Sequence, residues 1–192
     1  MQQQTQRSGV IVGVLSLAML VGAALTSSPA QADTGAGPYY AQPAWDRTLP
    51  SAGRFLVLTN FGGAAVLDRE TGLVWEKSPL TTVVRWDISA GFSESALVQC
   101  TSRTTGGRKG WRLPSVHELA SLVDPANSNP SLPTGHPFTN VLSAGYWSAT
   151  TVADNPYGAW LVRFGNGDVD TVSKGGSELA WCVRGGMNAD AY

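Results

Sequence analysis

The last third of the chain most constrains the fold, because it consists of short β-favouring stretches separated by turns. Gly165–Gly167 contains an Asn-Gly pair, which tolerates positive φ and is a strong hairpin signal. Glycine, tryptophan and proline are plentiful and charged residues are scarce, as is typical of turn-rich extracellular domains. The predicted strands are YWSATT (146–151), AWLVRF (159–164), DVDTVS (168–173) and LAWCVRG (179–185). We therefore expect a turn-rich domain with several short strands and not a helical bundle.

A strand and a hairpin are predicted upstream of this region. The apolar run Phe55–Leu58 predicts a strand at which the folded domain begins. Ala64–Leu67 and Leu73–Glu76 are the predicted arms of a hairpin. Between them, Asp68–Gly72 is rich in the residues that begin and end turns.

Two helices are predicted in the middle of the chain. Within residues 86–100, four side chains share one helical stripe, so Cys100 should face the core. These residues are Phe92, Ala96, Leu97 and Cys100. The second helix begins at Ser115, which has the capping-box spacing to Glu118, and ends at Asp124-Pro125. The proline-rich residues 125–145 are predicted to form a long irregular segment.

The N-terminus has the pattern of a secretory signal peptide. Arg7 precedes an uncharged apolar run from Gly9 to Leu25, and Ala30 and Ala32 form a small-x-small cleavage site. The alternative is a retained membrane anchor, but the run is shorter than the roughly 20 residues of a spanning helix. We therefore expect residues 1–32 to be removed and the protein to be secreted, periplasmic or held at the cell surface.

The remaining chain divides into three predicted parts. Residues 33–54 lack hydrophobic periodicity and predict a flexible arm, residues 55–186 the folded domain, and residues 187–192 a short tail. Removal of residues 1–32 takes away one of the 13 basic residues and none of the 14 acidic ones, which leaves 12 − 14 = −2. This net charge does not favour a nucleic-acid partner.

Cys100 and Cys182 are the two cysteines of the chain. In an oxidising compartment an even number of cysteines favours a disulfide. A 100–182 bridge would close a loop of about 83 residues and contribute on the order of 4 kcal/mol. Two free thiols or a metal-binding pair are the alternatives, and the wide spacing disfavours them.

Several motifs, in this order, resemble the Lcl C-terminal domain family, the globular head of bacterial collagen-like adhesins. The resemblance spans residues 64–186 approximately. It rests on VLDRETGLVWEKS, GWRLPSVHELASLVD, YWSATT, AWLVRFGNG and WCVRGG. It implies an α+β, C-type lectin-like fold, with two helices packed on a small twisted antiparallel sheet and a long irregular loop region. It also implies a disulfide between the first helix and the last strand, where Cys100 and Cys182 are predicted to lie.

Members of this family are associated with the cell surface, adhesion and binding of sulfated polysaccharide. The sequence carries no Gly-X-Y repeat and neither the Glu-Pro-Asn nor the Trp-Asn-Asp motif of calcium-dependent lectins. We therefore expect neither a collagen-type stalk nor calcium-mediated sugar binding. Asn166, Asp168 and Asp170 alternate as at the start of a calcium loop, but the later ligand positions do not fit, so a hairpin turn is predicted there.

Four basic residues around a glycine-rich turn are the candidate ligand-binding residues, because guanidinium groups bind sulfates in a bidentate manner. They are Arg103, Arg108, Lys109 and Arg112. The alternative is an ordinary solvated loop in which Arg112 has a structural role. For the aromatic residues, core packing is predicted at five tryptophans, whereas Trp45 and Tyr157 are the more exposable. The five are Trp75, Trp111, Trp147, Trp160 and Trp181.

The sequence carries no catalytic motif that we can identify, and we expect no enzymatic activity, cofactor or metal site. His117 and His136 lack zinc-binding spacing, and the nucleophile-elbow and phosphate-loop patterns are absent. Formylglycine-generating enzymes have a similar helix start, but their chemistry needs a reactive cysteine pair. The sequence thus predicts an exported binding or adhesion module for anionic polysaccharide. The alternatives are an envelope protein-interaction module and a relative of those enzymes.

Overall fold

The computed structural model describes residues 49–87 and 94–185, which form an α+β fold of short elements. The helices are α1 Ser51–Arg54, α2 Ala96–Thr101 and α3 Val116–Ala120. The strands are β1 Phe55–Val57, β2 Ala65–Asp68, β3 Val74–Glu76, β4 Trp111–Arg112, β5 Gly145–Val152, β6 Asn155–Arg163, β7 Val169–Ser173 and β8 Val183–Arg184. The predicted α+β class is confirmed. The predicted signal peptide, most of the arm and the tail lie outside the described residues.

The strands form two antiparallel sheets, where the sequence led us to expect one. The larger sheet has the order β1-β2-β3-β8-β4, and the smaller has the order β5-β6-β7. A single bridge between Tyr146 and Leu179 connects β5 to the segment before β8. Residues 179–184 therefore contact both sheets, although only Val183–Arg184 form a regular strand.

Both predicted hairpins are confirmed. β2 pairs with β3 through Ala65 opposite Glu76 and Val66 opposite Trp75. β6 pairs with β7, and the turn between them is closed by a hydrogen bond from the Arg163 N–H to the Asp168 carbonyl (2.8 Å). Gly167 has a φ of 85° in this turn, a conformation that glycine adopts without steric cost.

The helix predicted over residues 86–100 is shorter than the apolar stripe suggests. Ser95 caps α2 by accepting a hydrogen bond from the Val98 N–H, so the helix begins at Ala96. Trp86 instead donates its backbone N–H to the Lys174 carbonyl and its indole N–H to the Ser148 carbonyl. Tertiary contacts thus keep Trp86 out of the helix, and Phe92 lies outside the described residues. The prediction that Cys100 is buried is confirmed.

The capping box at α3 is confirmed, with Ser115 and Glu118 each accepting a hydrogen bond from the other's backbone N–H. The α-helix ends at Ala120, before the predicted Asp124-Pro125 boundary. Leu122 and Val123 donate to the carbonyls three residues earlier, which tightens the chain into a turn. The following residues are irregular as predicted.

The core consists of two clusters of buried side chains, and the disulfide lies in the second. The first contains Trp75, Tyr146 and Trp181, and the second contains Trp111, Trp147 and both cysteines. Cys100 and Cys182 are bonded, which confirms the predicted bridge. It joins α2 to the chain just before β8. Within residues 49–87 and 94–185, none of the helices has the length and apolar character that crossing a bilayer requires.

Residues 49–54, which the sequence assigns to the arm, are attached to the domain. Arg54 is 7% exposed and pairs with Asp68 at 2.8 Å and with Glu70 at 2.9 Å. The Leu49 backbone N–H donates to the Glu70 carboxylate at 2.6 Å. The sheet edge at β1 is thereby anchored by residues that precede the predicted domain boundary.

Candidate functional site

The connection from α2 to β4 carries three of the four candidate basic residues, and we call residues 103–110 the basic loop. Glu76 at the end of β3 anchors it to the larger sheet. The Thr105 hydroxyl donates to Glu76 Oε1 at 2.5 Å, and Arg103 Nε lies 3.4 Å from the same oxygen. The basic loop therefore has a fixed position against a carboxylate that is distant in sequence.

A close approach of Gly106 to Phe61 anchors the middle of the basic loop. Gly106 has a φ of 64°, and a Cβ atom there would lie 2.6 Å from the Phe61 Cβ. A side chain at this position would therefore clash. Further along, the Trp111 indole N–H donates to the Arg108 carbonyl at 2.9 Å. These contacts hold the backbone and leave the Arg108 and Lys109 side chains exposed.

Arg184 of β8 adds a cation that the sequence analysis did not select. Its Nε donates to the Lys109 carbonyl at 2.8 Å. Its guanidinium carbon lies 5.9 Å from the centre of the Phe61 ring, and that of Arg108 lies 5.7 Å from the same ring. The guanidinium groups of Arg108 and Arg184 thus lie near the same ring, and Lys109 follows Arg108 in the basic loop.

A signal for Arg184 was present in the sequence. In a strand, residues two apart point to the same face, so Arg184 shares a face with Cys182. The bridge places Cys182 beside Cys100, and Arg103 follows Cys100 by one helical turn. The pairing of the cysteines therefore predicts that Arg184 lies near the basic loop.

The ion pairs in the described part of the chain leave out Arg108, Lys109 and Arg184. Arg103 is paired with Glu76, and its side chain is 33% exposed. Arg108, Lys109 and Arg184 are thus three cations without a carboxylate partner among the described residues, and Arg103 lies in the same loop as the first two.

The sequence of residues 64–184 matches the family model of the Lcl C-terminal domain, over more than half of the chain. The chain belongs to the Lcl C-terminal domain family. No match is found among curated proteins. The matched residues begin after β1, which is an edge strand of the larger sheet, and after Phe61, which is part of the second core cluster.

In this Lcl C-terminal domain, the fourth candidate residue, Arg112, is part of the scaffold. Its guanidinium donates to both carboxylate oxygens of Glu118 at 2.7 and 2.6 Å, and to the Gly185 carbonyl at 2.8 Å. Burial alone would raise the pKa of Glu118, but hydrogen bonds from Arg112 and Ser115 outweigh it and lower the pKa. Arg112 thereby ties the capping box of α3 to the end of β8.

The pKa of Glu76 is shifted in the opposite direction from that of Glu118. Burial raises the pKa of Glu76, and Thr105, Arg103 and the Cys182 backbone oppose that rise without cancelling it. Its Oε2 atom is buried and has no hydrogen-bond partner. The carboxylate that anchors the basic loop is therefore buried and only partly hydrogen-bonded.

The remaining candidates for ligand chemistry have local structural roles in the Lcl C-terminal domain. The Asn166 amide donates to Asp168 within the β6–β7 turn, and Asp170 pairs with Arg163 at 3.0 Å. Among the described residues, no group of three or more metal-ligating side chains is present. His136 stacks on Phe138, and burial lowers its pKa.

Four of the five tryptophans predicted for the core are almost completely buried: Trp75, Trp111, Trp147 and Trp181. Trp160 is half-buried at the margin of the first cluster. Tyr157 is 80% exposed, as predicted, and Trp45 lies outside the described residues. The aromatic residues that the sequence offers for sugar stacking thus mostly form the core.

Proposed function

We propose that this Lcl C-terminal domain is an exported, non-enzymatic binding module of the bacterial cell surface that recognises anionic polysaccharide. One observation carries the proposal: Arg108 and Arg184 lie near the same Phe61 ring, the Lys109 carbonyl accepts from Arg184, and none of the three cations is paired with a carboxylate in the described residues. An anionic polymer would supply the missing counter-charges. The proposed adhesive role follows from this binding.

Affinity would come from several weak contacts. Each guanidinium can donate two parallel hydrogen bonds to a sulfate, and Lys109 adds a point charge. Exposed contacts of this kind are screened by salt over about 8 Å at physiological ionic strength. Binding should therefore weaken steeply with salt and gain strength from polymers that engage several copies of the domain.

The disulfide supports the non-enzymatic proposal over an oxidative enzyme. An enzyme of the formylglycine-generating type would need a reactive cysteine pair, and the two cysteines here are buried and bonded to each other. His117 is exposed on α3, and His136 stacks on Phe138. The basic surface remains the better basis for function.

The decisive experiment measures retention of the purified protein on immobilised heparin and on a neutral polysaccharide across a salt series. The test variant is Arg108→Ala/Lys109→Ala/Arg184→Ala. Its matched control is Arg69→Ala/Lys77→Ala/Arg163→Ala, which removes the same charge at other sites. We expect salt-sensitive heparin retention that the test variant loses and the control keeps.

Two results would contradict the proposal. Equal loss in both variants would show that only net charge matters. If the wild-type protein is not retained near physiological salt, the ligand is not an anionic polysaccharide, and a protein partner in the envelope is favoured.

A further inference from the structure

Two buried polar atoms lack hydrogen-bond partners where Glu76 contacts the basic loop. Glu76 is 4% exposed, and its Oε2 atom has no partner. Arg103 Nε is also unpartnered, because its 3.4 Å approach to Oε1 lacks hydrogen-bond alignment. Buried polar atoms of this kind cost free energy, so the ionised pair is held only weakly.

Arg103 is the one charged side chain that the described residues place against the Glu76 carboxylate. Thr105 contributes a neutral hydroxyl from the basic loop. On the other sides, β2 contributes Ala65 and the chain before β8 contributes the backbone of Cys182, whose sulfur is bonded and does not titrate. The charge state of Glu76 therefore determines whether Arg103 has a counter-ion.

We propose that protonation of Glu76 controls how many cations the basic loop presents to its ligand. When Glu76 is ionised, its carboxylate neutralises Arg103 at the sheet. When a proton from solvent binds to Oε2, that attraction is lost and the guanidinium of Arg103 is released to act with Arg108 and Lys109. Thr105 can still donate to Oε1, so the loop stays attached.

The expected consequence is tighter binding of polyanions as the pH falls. This part of the inference rests on the proposed function. One released cation that comes within about 5 Å of a bound sulfate in water increases affinity by about fourfold. Burial raises the pKa of Glu76, so the change occurs at a higher pH than it would for an exposed glutamate.

The test measures the dissociation constant for dextran sulfate, whose sulfate groups stay ionised, from about pH 7.5 to about pH 4.5 at constant ionic strength. The variants are Glu76→Gln, Arg103→Ala and the control Asp154→Asn, which removes a carboxylate from the β5–β6 turn. We expect the wild-type protein and the control to tighten about fourfold more than Glu76→Gln over this range. Glu76→Gln should already bind tightly at the higher pH, and Arg103→Ala should lose the extra tightening. The same pH dependence in the wild-type protein and Glu76→Gln would overturn the proposal.

A second measurement needs no ligand and separates the two proposals. NMR of the free protein would follow the Glu76 carboxyl carbon and the Arg103 Nε–H signal against pH. We expect both to titrate together, and Arg103→Ala to raise the pKa of Glu76, because the Arg103 charge lowers it. If the Arg103 Nε–H signal does not shift as Glu76 titrates, the inference would be refuted even if dextran sulfate binds. If the Glu76 and Arg103 signals titrate together but dextran sulfate does not bind at any pH, only the proposal of a polysaccharide ligand would be refuted.

Discussion

Arg54 and Asp68 form a buried bidentate ion pair at the edge of the larger sheet. Arg54 Nε and one terminal nitrogen donate to the two carboxylate oxygens at 2.9 and 2.8 Å, and the Asp68 side chain is fully buried. The same guanidinium donates to the Ser121 carbonyl at 2.7 Å. One side chain thus joins the first helix, the first hairpin and the turn after α3.

Breaking this pair should strongly destabilise the fold. We expect Arg54→Ala to lower the free energy of unfolding by about 3–5 kcal/mol, because Asp68 is left buried without its counter-ion. Urea unfolding measures the loss. Arg163→Ala, which breaks an exposed pair with Asp170, is the control and should cost about 1 kcal/mol or less. A loss at Arg54 as small as that at Arg163 would contradict the burial of the pair.

Removal of the disulfide should destabilise the domain. The bridge joins residues 82 apart in sequence. Cys100→Ala/Cys182→Ala should lower the free energy of unfolding by about 4 kcal/mol, because the unfolded chain regains loop entropy. Thiol titration of the unfolded wild-type protein, with and without reductant, provides the control. Two reactive thiols before reduction would show that the bridge is absent.

Gly106→Ala should disrupt the basic loop. The new methyl group would meet the Phe61 Cβ, and the φ of 64° is strained for alanine. Gly107→Ala is a matched control, because its φ is 69° and nothing lies within 4 Å of the new atom. We expect Gly107→Ala to cost about 1–2 kcal/mol, and Gly106→Ala to cost about 1–3 kcal/mol more. Equal costs in thermal unfolding would mean that the loop does not pack on Phe61.

The pair between Arg112 and Glu118 should make stability depend on pH. Because the pKa of Glu118 is lowered by folding, its ionised form stabilises the fold above the unfolded pKa. This contribution is lost as the pH falls through the folded pKa. Glu118→Gln should therefore cost about 1 kcal/mol at neutral pH and progressively less below the ordinary value of 4.5. A pH-independent cost in urea unfolding would assign the effect to packing alone.

Export should remove the first 32 residues. The small-x-small pattern at Ala30 and Ala32 predicts that the secreted protein begins at Asp33. Intact-mass spectrometry of protein recovered outside the cytoplasm measures this directly. Ala30→Arg/Ala32→Arg is expected to block cleavage, and an intact mass that still includes residues 1–32 in the wild-type protein would favour a retained anchor.

Much of the fold was predictable because its signals are local. The Ser115 and Glu118 spacing predicts a helix start from contacts one turn apart, and the turn at Asn166 predicts a hairpin from its own backbone preferences. The stripe that ends at Cys100 was misleading upstream of Ala96. There, Trp86 bonds to Ser148 and Lys174, and no local pattern indicates partners so far away in sequence.

The candidate site was predictable only in part, for the same reason. The sequence by itself determined the short strands and turns, the capped helix, the even cysteine count and the cluster of basic residues around Gly106 and Gly107. The tertiary structure decided which of those cations are free to bind a ligand. Arg112 is paired with Glu118 and Arg103 with Glu76, whereas β8 places Arg184 beside Lys109. Periodicity and capping depend on neighbours within about one helical turn. Charge pairing and burial depend on which distant segments the sheets bring together.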